Sequence, residues 1–353
     1  MPENNAVHEM ILFDRIEKIK ELEAEYNLSE NSYISFSGGK DSTVLHYLVD
    51  EALPGNRIPR VYSNTGIEYR EMVKFVKSMQ AEDDRIIIAP AGVNIRRMLR
   101  ENGLPFKSKK FSGKLNRFYR SPHKQEILEK IEYLENNLEL VTDYDYISAI
   151  PQHIKWFIKV YYGLVIHEED RTITTNRRYA IPKRLRYLVH EEKNISDKCC
   201  FFLKKQPLDR IKVELGKDFT LTGMRRSEGG NRVSIPCLSY DRGDLSKIHV
   251  LAPVTDDWIA WYIETRNVRI CPLYLPPYNL VRTGCKGCPY ALNLKNELQA
   301  IGEHFASERK QCQTIFGEVY DEYERVGYRL PKRRVTQEQV VEETTEEVEE
   351  ENT

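Results

Sequence analysis

The chain has 353 residues, 41% of them hydrophobic and 30% charged, and a formal net charge of −1. That composition suits a soluble globular protein of one large or two modest domains. No run approaches the roughly eighteen apolar residues of a membrane span, and the start Met1-Pro2-Glu3-Asn4-Asn5 lacks the basic-then-apolar build of a signal peptide, so a cytoplasmic protein with no membrane partner is expected.

From Val7 to Tyr26, apolar positions at Met10, Ile11, Phe13, Ile16, Ile19 and Leu22 predict an amphipathic helix. Tyr33-Ile34-Ser35-Phe36 reads as a strand, Ser37 to Ser42 as Ser-Gly-Gly-Lys-Asp-Ser, and Thr43 to Val49 as a helix. A strand, a glycine-rich turn and a helix in that order make an anion site. Gly38 and Gly39 let backbone N–H groups approach a phosphate, while the hydroxyls of Ser37 and Ser42 and the ammonium of Lys40 add donors at a helix N-terminus. Pyrophosphate is the natural ligand, and Asp41 can orient the loop or a Mg²⁺. The spacing is not that of a Walker loop, because the Lys follows the second Gly at once.

The alternation continues with a strand from Ile58 to Ser63, a helix from Tyr69 to Met79, a strand from Arg85 to Ala89 and a helix from Asn94 to Asn102. Phe219 to Gly223 and Ile248 to Leu251 supply two more strands. Strands separated by single helices imply right-handed βαβ units and a doubly wound, five-stranded parallel sheet, with ligands beyond the carboxyl ends of its strands. More than a hundred residues separate the third strand from the fourth, too many for a loop, so they must fold as an insertion. Lys124 to Leu140 is helical in pattern. Ile147, Ile150, Ile154, Phe157, Ile158, Tyr161 and Val165 form a second helical stripe, for core or for subunit packing in a homo-oligomer. Arg96 to Lys124 carries ten Lys or Arg against Glu101 alone, with Phe106, Phe111, Phe118 and Tyr119 interleaved. Such a stretch can hold a nucleic-acid backbone and stack on bases, close on a nucleotide, or stand solvated. The domain reading is 1–103 for the first part of a nucleotide-binding domain, 104–198 for the insertion, 199–330 for the second part and 331–353 for a tail. From Val335 to Thr353 that tail holds eight Glu and no Lys or Arg, which predicts disorder. Without it, 53 basic residues face 46 acidic ones, a net +7.

The six residues Ser37 to Ser42 resemble the signature of the PP-loop ATP pyrophosphatases, which cut ATP between the α and β phosphates. Three further segments resemble the phosphoadenosine phosphosulfate (PAPS) reductase family of that adenine nucleotide alpha hydrolase superfamily. They are Asn64-Thr65-Gly66-Ile67-Glu68-Tyr69, with Asn64 where the family usually has Asp, the run Thr222-Gly223 to Arg232, and Pro253 to Ile263. The resemblance implies that Gly223, Arg225 and Arg232 meet phosphate or sulfate, arginine forks being suited to both. It also brings Thr65 and Glu68 to the nucleotide, although Glu68 could equally cap the helix that follows.

Cys199-Cys200 and Cys285-Lys286-Gly287-Cys288 offer four thiolates in two close pairs, able to hold zinc or an iron–sulfur cluster. A vicinal pair followed far downstream by Cys-x-x-Cys resembles the 4Fe-4S arrangement of the adenylyl-sulfate reductases, with Arg282-Thr283-Gly284 and Pro289-Tyr290 flanking it. Cys237, Cys271 and Cys312 read as small buried hydrophobes. Those reductases attack sulfur with a cysteine near the C-terminus, and nothing after Cys312 is a cysteine. The complete loop and the missing nucleophile favour an enzyme that binds ATP with Mg²⁺, transfers AMP to an acceptor in sulfur chemistry and releases pyrophosphate. A sulfur-donor protein would be a partner. The rivals are a thiol-dependent reductase using Cys312, and a nucleotide-dependent nucleic-acid-binding component working through Arg96 to Lys124.

Overall fold

The computed structural model describes residues 2–281 and 283–332. Its strands are β1 (Ser32–Ser35), β2 (Arg60–Asn64), β3 (Ile86–Pro90), β4 (Leu164–His167), β5 (Thr172–Thr175), β6 (Phe219–Leu221), β7 (Leu238–Asp241) and β8 (Asp244–Ile248). The predicted acidic tail and Arg282 lie outside the described residues. The chain divides into two compact units, residues 1–98 with 199–286, and residues 99–198 with 287 onward.

The first unit is built on one sheet of order β3-β2-β1-β6-β8-β7. Five strands run parallel, as the alternation of the sequence predicts, with Ile34 opposite both Arg60 and Leu221. A sixth, β7, joins the edge antiparallel. The last parallel strand is Asp244–Ile248 rather than Ile248 to Leu251. A two-residue turn at Arg242-Gly243, both at positive φ, starts β8 early as the second arm of a hairpin. Consecutive residues Arg60, Val61 and Tyr62 are all buried, so the sheet is covered on both faces. Leu208, Ile211 and Leu215, on and just after helix Gln206–Glu214, pack against Tyr33, Val61 and Ala89. Helix Lys40–Ala52 packs on helices Pro2–Tyr26 and Asp256–Thr265. Trp258 Nε1 donates to the His8 carbonyl at 3.0 Å, and the Tyr262 hydroxyl donates to Glu51 at 2.9 Å.

The second unit is mainly helical. The predicted stripe from Ile147 to Val165 is not one helix. Pro151 breaks it and Gly163, at φ +73°, ends it, giving helices Tyr144–Ala149 and Gln152–Tyr162 before β4, which pairs antiparallel with β5. Val165 is therefore a strand residue. Phe118 stacks on Phe157 with centroids 4.2 Å apart, and Phe106 meets Tyr323 edge-on at 4.7 Å. Phe106, Phe111 and Phe118 are all buried, and the Tyr119 hydroxyl donates to the Leu188 carbonyl at 2.6 Å. The aromatic rings of the basic segment thus fill a core and are not presented for stacking on bases. Among the described residues no helix is long and apolar enough to cross a membrane.

Candidate nucleotide site

Strand β1 ends at Ser35, helix Lys40–Ala52 begins at Lys40, and Phe36 to Gly39 form the turn between them. The sheet order reverses on either side of β1, so this turn stands at the switch point where open α/β sheets bind ligands. Gly38 adopts φ +70°, and a Cβ on it would come within 2.9 Å of the Val76 side chain, so only glycine fits. The serines brace the turn. Ser42 Oγ donates to the Gly39 carbonyl at 2.9 Å and accepts from the Ser37 amide at 3.1 Å, and the two hydroxyls are 3.0 Å apart. Ser42 is buried while Ser37 is exposed. Of the pair, Ser37 is the one placed to meet a ligand.

Lys40 Nζ stands 5.0 Å from the centre of the Tyr274 ring, a cation–π distance. Burial pushes the Tyr274 hydroxyl up to about 12, and that hydroxyl pairs with Thr283. Asp41 does not stand open to a metal ion on both oxygens, since its Oδ1 accepts from Arg225 Nε at 2.8 Å. Arg225 is 5% exposed, and its other two nitrogens donate to Ser227 and Asp256 at 2.7 and 2.6 Å. The guanidinium ties the loop helix to the segment after β6, a positioning role rather than an open fork for phosphate. Arg232 is likewise ion-paired with Glu228. Gly223 is needed for close approach: a Cβ there would lie 2.8 Å from the Asp41 carbonyl oxygen and 3.0 Å from the Ser42 amide.

Glu68 folds back on its own turn, accepting from the Thr65 hydroxyl at 2.6 Å and the Thr65 amide at 2.9 Å. Thr65 is itself buried. Glu68 also lines a cavity of about 100 Å³ beyond the turn, with Ser37, Tyr62, Ser63, Lys204 and Thr283 among its other walls. The Tyr62 hydroxyl is buried with no hydrogen-bond partner among the described residues, and burial followed by the negative charge of Glu68 raises its pKa.

Three of the four predicted metal-ligating cysteines belong to this unit. Cys199 and Cys200 have their sulfurs 4.0 Å apart and lead into a π-helical turn, Phe201–Lys205. Such turns recur at functional sites. Lys204, four residues after Cys200, has its pKa raised first by Cys285 and, against burial, by Glu68 and Cys200 as well. Cys285 is held by its neighbour Lys286, whose amide donates to the Ile67 carbonyl at 3.0 Å and whose ammonium donates to the Glu68 carbonyl at 3.1 Å. Burial raises the Cys285 thiol, and Lys204 opposes that shift. Two thiols, Cys285 and Cys200, beside one lysine fit a thiolate-bound metal group, because the ammonium offsets the negative charge that such ligands bring. Cys288 falls in the second unit. So does Cys312, which is 0% exposed. Sequence reasoning missed Tyr62, Lys204 and Tyr274.

The family model for the phosphoadenosine phosphosulfate reductase domain matches residues 31–145 and 144–291. An adenosine 5'-phosphosulfate reductase of Agrobacterium fabrum is 32% identical over 117 residues, covering 32% of this chain and 43% of that protein. One of Rhodococcus erythropolis is 32% identical over 93 residues, covering 26% and 36%. The chain thus spans less than half the length of these curated relatives. A phosphoadenylyl-sulfate reductase structure from Candida auris aligns with 76% of this chain and 87% of its own at 14% identity and a TM-score of 0.39. With its family model running from residue 31 to residue 291, the chain belongs to the phosphoadenosine phosphosulfate reductase domain family.

Proposed function

We propose that this protein binds ATP, cleaves it between the α and β phosphates, and passes AMP to an oxygen of an acceptor in sulfur metabolism or sulfur modification. The observation that carries this reading is the complete Ser37 to Ser42 turn at the N-terminus of helix Lys40–Ala52, with Ser37 on the wall of the cavity. The helix end and loop amides attract the pyrophosphate, and Lys40 neutralises its charge. No side chain forms a covalent bond in this step, since orientation and charge neutralisation suffice. Arg225 keeps Asp41, and with it the first helical turn, in register with the strand end at Gly223. Mg²⁺ enters with the nucleotide.

The proposed cluster ligands are Cys199, Cys200, Cys285 and Cys288, and the group they suit is 4Fe-4S, with zinc as the alternative. Held by all four thiolates, such a cluster would have one cysteine on each iron and would supply a structural brace or one-electron chemistry, with no open iron. Lys204 lies on the wall of the cavity and beside Cys285, so its charge acts on both the ligand space and the thiolates.

The relatives' names favour a second reading, reduction of adenylyl sulfate or PAPS through an attacking thiol. Burial of Cys312 within its own unit speaks against that thiol. A polyanionic acceptor such as a nucleic acid fits the basic insertion, where the pKa values of Lys107 and Lys114 are lowered by burial and then by the nearby Arg329 and Lys110 charges. The deciding experiment is anaerobic purification and a pyrophosphate-release screen across sulfate, RNA, DNA and small-molecule acceptors, with Cys312→Ser alongside. Acceptor-dependent pyrophosphate release retained in Cys312→Ser is expected. Sulfite production that depends on Cys312, without pyrophosphate release, would install the reductase.

A further inference from the structure

The insertion carries a side-chain cluster that the nucleotide chemistry does not use. His123 precedes helix Lys124–Asn136, Glu126 lies in that helix's first turn, and His153 lies in the first turn of helix Gln152–Tyr162. Nδ1 of His123 is 2.8 Å from one Glu126 oxygen, and Nε2 of His153 is 3.4 Å from the other. The two imidazole rings face each other with centroids 4.1 Å apart and planes tilted by 38°. One ligand atom from each of the three residues lies within 4.8 Å of the other two. All three side chains reach solvent, so an ion can enter without any movement of the backbone.

We infer that His123, Glu126 and His153 form a binding site for a divalent transition metal, Zn²⁺ suiting its donors best. Two imidazole nitrogens and a carboxylate oxygen are a recurrent zinc set, whereas Ca²⁺ and Mg²⁺ take oxygen ligands throughout. Atoms bound to one tetrahedral zinc at about 2.0–2.1 Å stand roughly 3.3 Å apart, so the observed spacings need only small side-chain rotations. Zinc takes the place of the protons now shared with Glu126, and those protons move to Nε2 of His123 and Nδ1 of His153, which is a change of tautomer. The fourth position is left to water.

A contrast within the protein sharpens the case. His46, Asp50 and Asp83 are as closely grouped, but Arg85 donates to both carboxylates at 2.8 to 2.9 Å and Arg60 donates to Asp50 at 2.7 Å. Two guanidinium groups already neutralise that set. The Glu126 carboxylate instead meets two imidazoles, one at each oxygen, and each ring can offer a metal a nitrogen lone pair. Bound zinc would pin the start of helix Lys124–Asn136 to the start of helix Gln152–Tyr162 and stabilise the insertion.

The test is equilibrium dialysis of the full chain against Zn²⁺, comparing wild type with His153→Ala and Glu126→Gln. The second substitution keeps the size and hydrogen-bonding capacity of the side chain, so it guards against a folding defect in the first. Wild type is expected to bind one zinc more than either variant, with the same iron content in all three. The affinity of that zinc should fall by at least about 100-fold, since losing even a ligand's hydrogen-bond partner costs 10–100-fold. Zinc should raise the melting temperature of wild type alone by a few degrees. Equal zinc stoichiometry and equal melting shifts across the three proteins would overturn the site.

Discussion

Arg225 donates from Nε to Oδ1 of Asp41 at 2.8 Å, a bond between residues 184 positions apart that joins the segment after β6 to the first turn of helix Lys40–Ala52. With Ser227 and Asp256 on its other nitrogens, the guanidinium is shared among three partners. Asp41 and Asp256 are 29% and 76% exposed, so water can solvate the carboxylates that Arg225→Ala leaves behind, and the loss should be that of the charged hydrogen bonds, about 1–2 kcal/mol of stability. Arg225→Lys should recover little of it, because a point ammonium cannot match a three-way fork. Urea denaturation measures this directly. Wild-type stability combined with lost ATP affinity would instead make Arg225 a phosphate ligand.

Gly223→Ala tests the close approach behind the loop. The new methyl would stand 2.8 Å from the Asp41 carbonyl oxygen, and overpacking of this kind costs roughly 1–3 kcal/mol. The helix N-terminus should shift and ATP affinity should drop about tenfold or more, taking 1.4 kcal/mol per tenfold. Isothermal titration with a non-hydrolysable ATP analogue reads the change. Unaltered affinity in a folded variant would detach the helix end from nucleotide binding.

Lys204→Gln withdraws the charge that opposes the burial of Cys285. In metal-free protein the Cys285 thiol should then ionise at higher pH and react several-fold more slowly with iodoacetamide at pH 8, since the thiolate is the nucleophile. Mass spectrometry of the peptide containing Cys285 follows the rate. An unchanged or faster rate would remove Lys204 from the cysteine environment.

The first unit should lose stability in acid over a definite window. Burial, with the charge of Arg60 next, lowers the His46 pKa to about 4, and burial with Lys247 and Arg232 lowers that of His249 to about 4. Both are neutral in the folded protein while the unfolded chain takes up protons near pH 6.5, so their stabilising effect is full above 6.5 and is lost as pH falls toward 4. At about 1.4 kcal/mol per unit each contributes a few kcal/mol at most. Burial alone would raise the Asp83 carboxyl, but its bonds from Arg85 bring it down to about 2, adding a further loss between about pH 3.8 and 2. A urea midpoint that stays level from pH 6.5 to 4.5 would contradict the histidine assignment.

The nucleotide turn was legible because its determinants are local. The small residues at Gly38 and Gly39, the apolar run before them and the helix formers after them act within a dozen positions of one another, and the parallel sheet follows from the alternation of such units. Helix breakers act locally too, although Pro151 and Gly163 were outweighed in the sequence by the apolar stripe they interrupt. What the fold alone decided is long-range pairing. Whether Arg225 meets phosphate or Asp41, whether Glu68 turns to a ribose or to Thr65, and whether Phe106, Phe111 and Phe118 meet bases or a core depend on which partner another segment brings within about 3–4 Å. Charge and ring type are written in the sequence. The competition among their partners is settled only by tertiary packing, because a buried polar group takes whichever partner removes its desolvation cost.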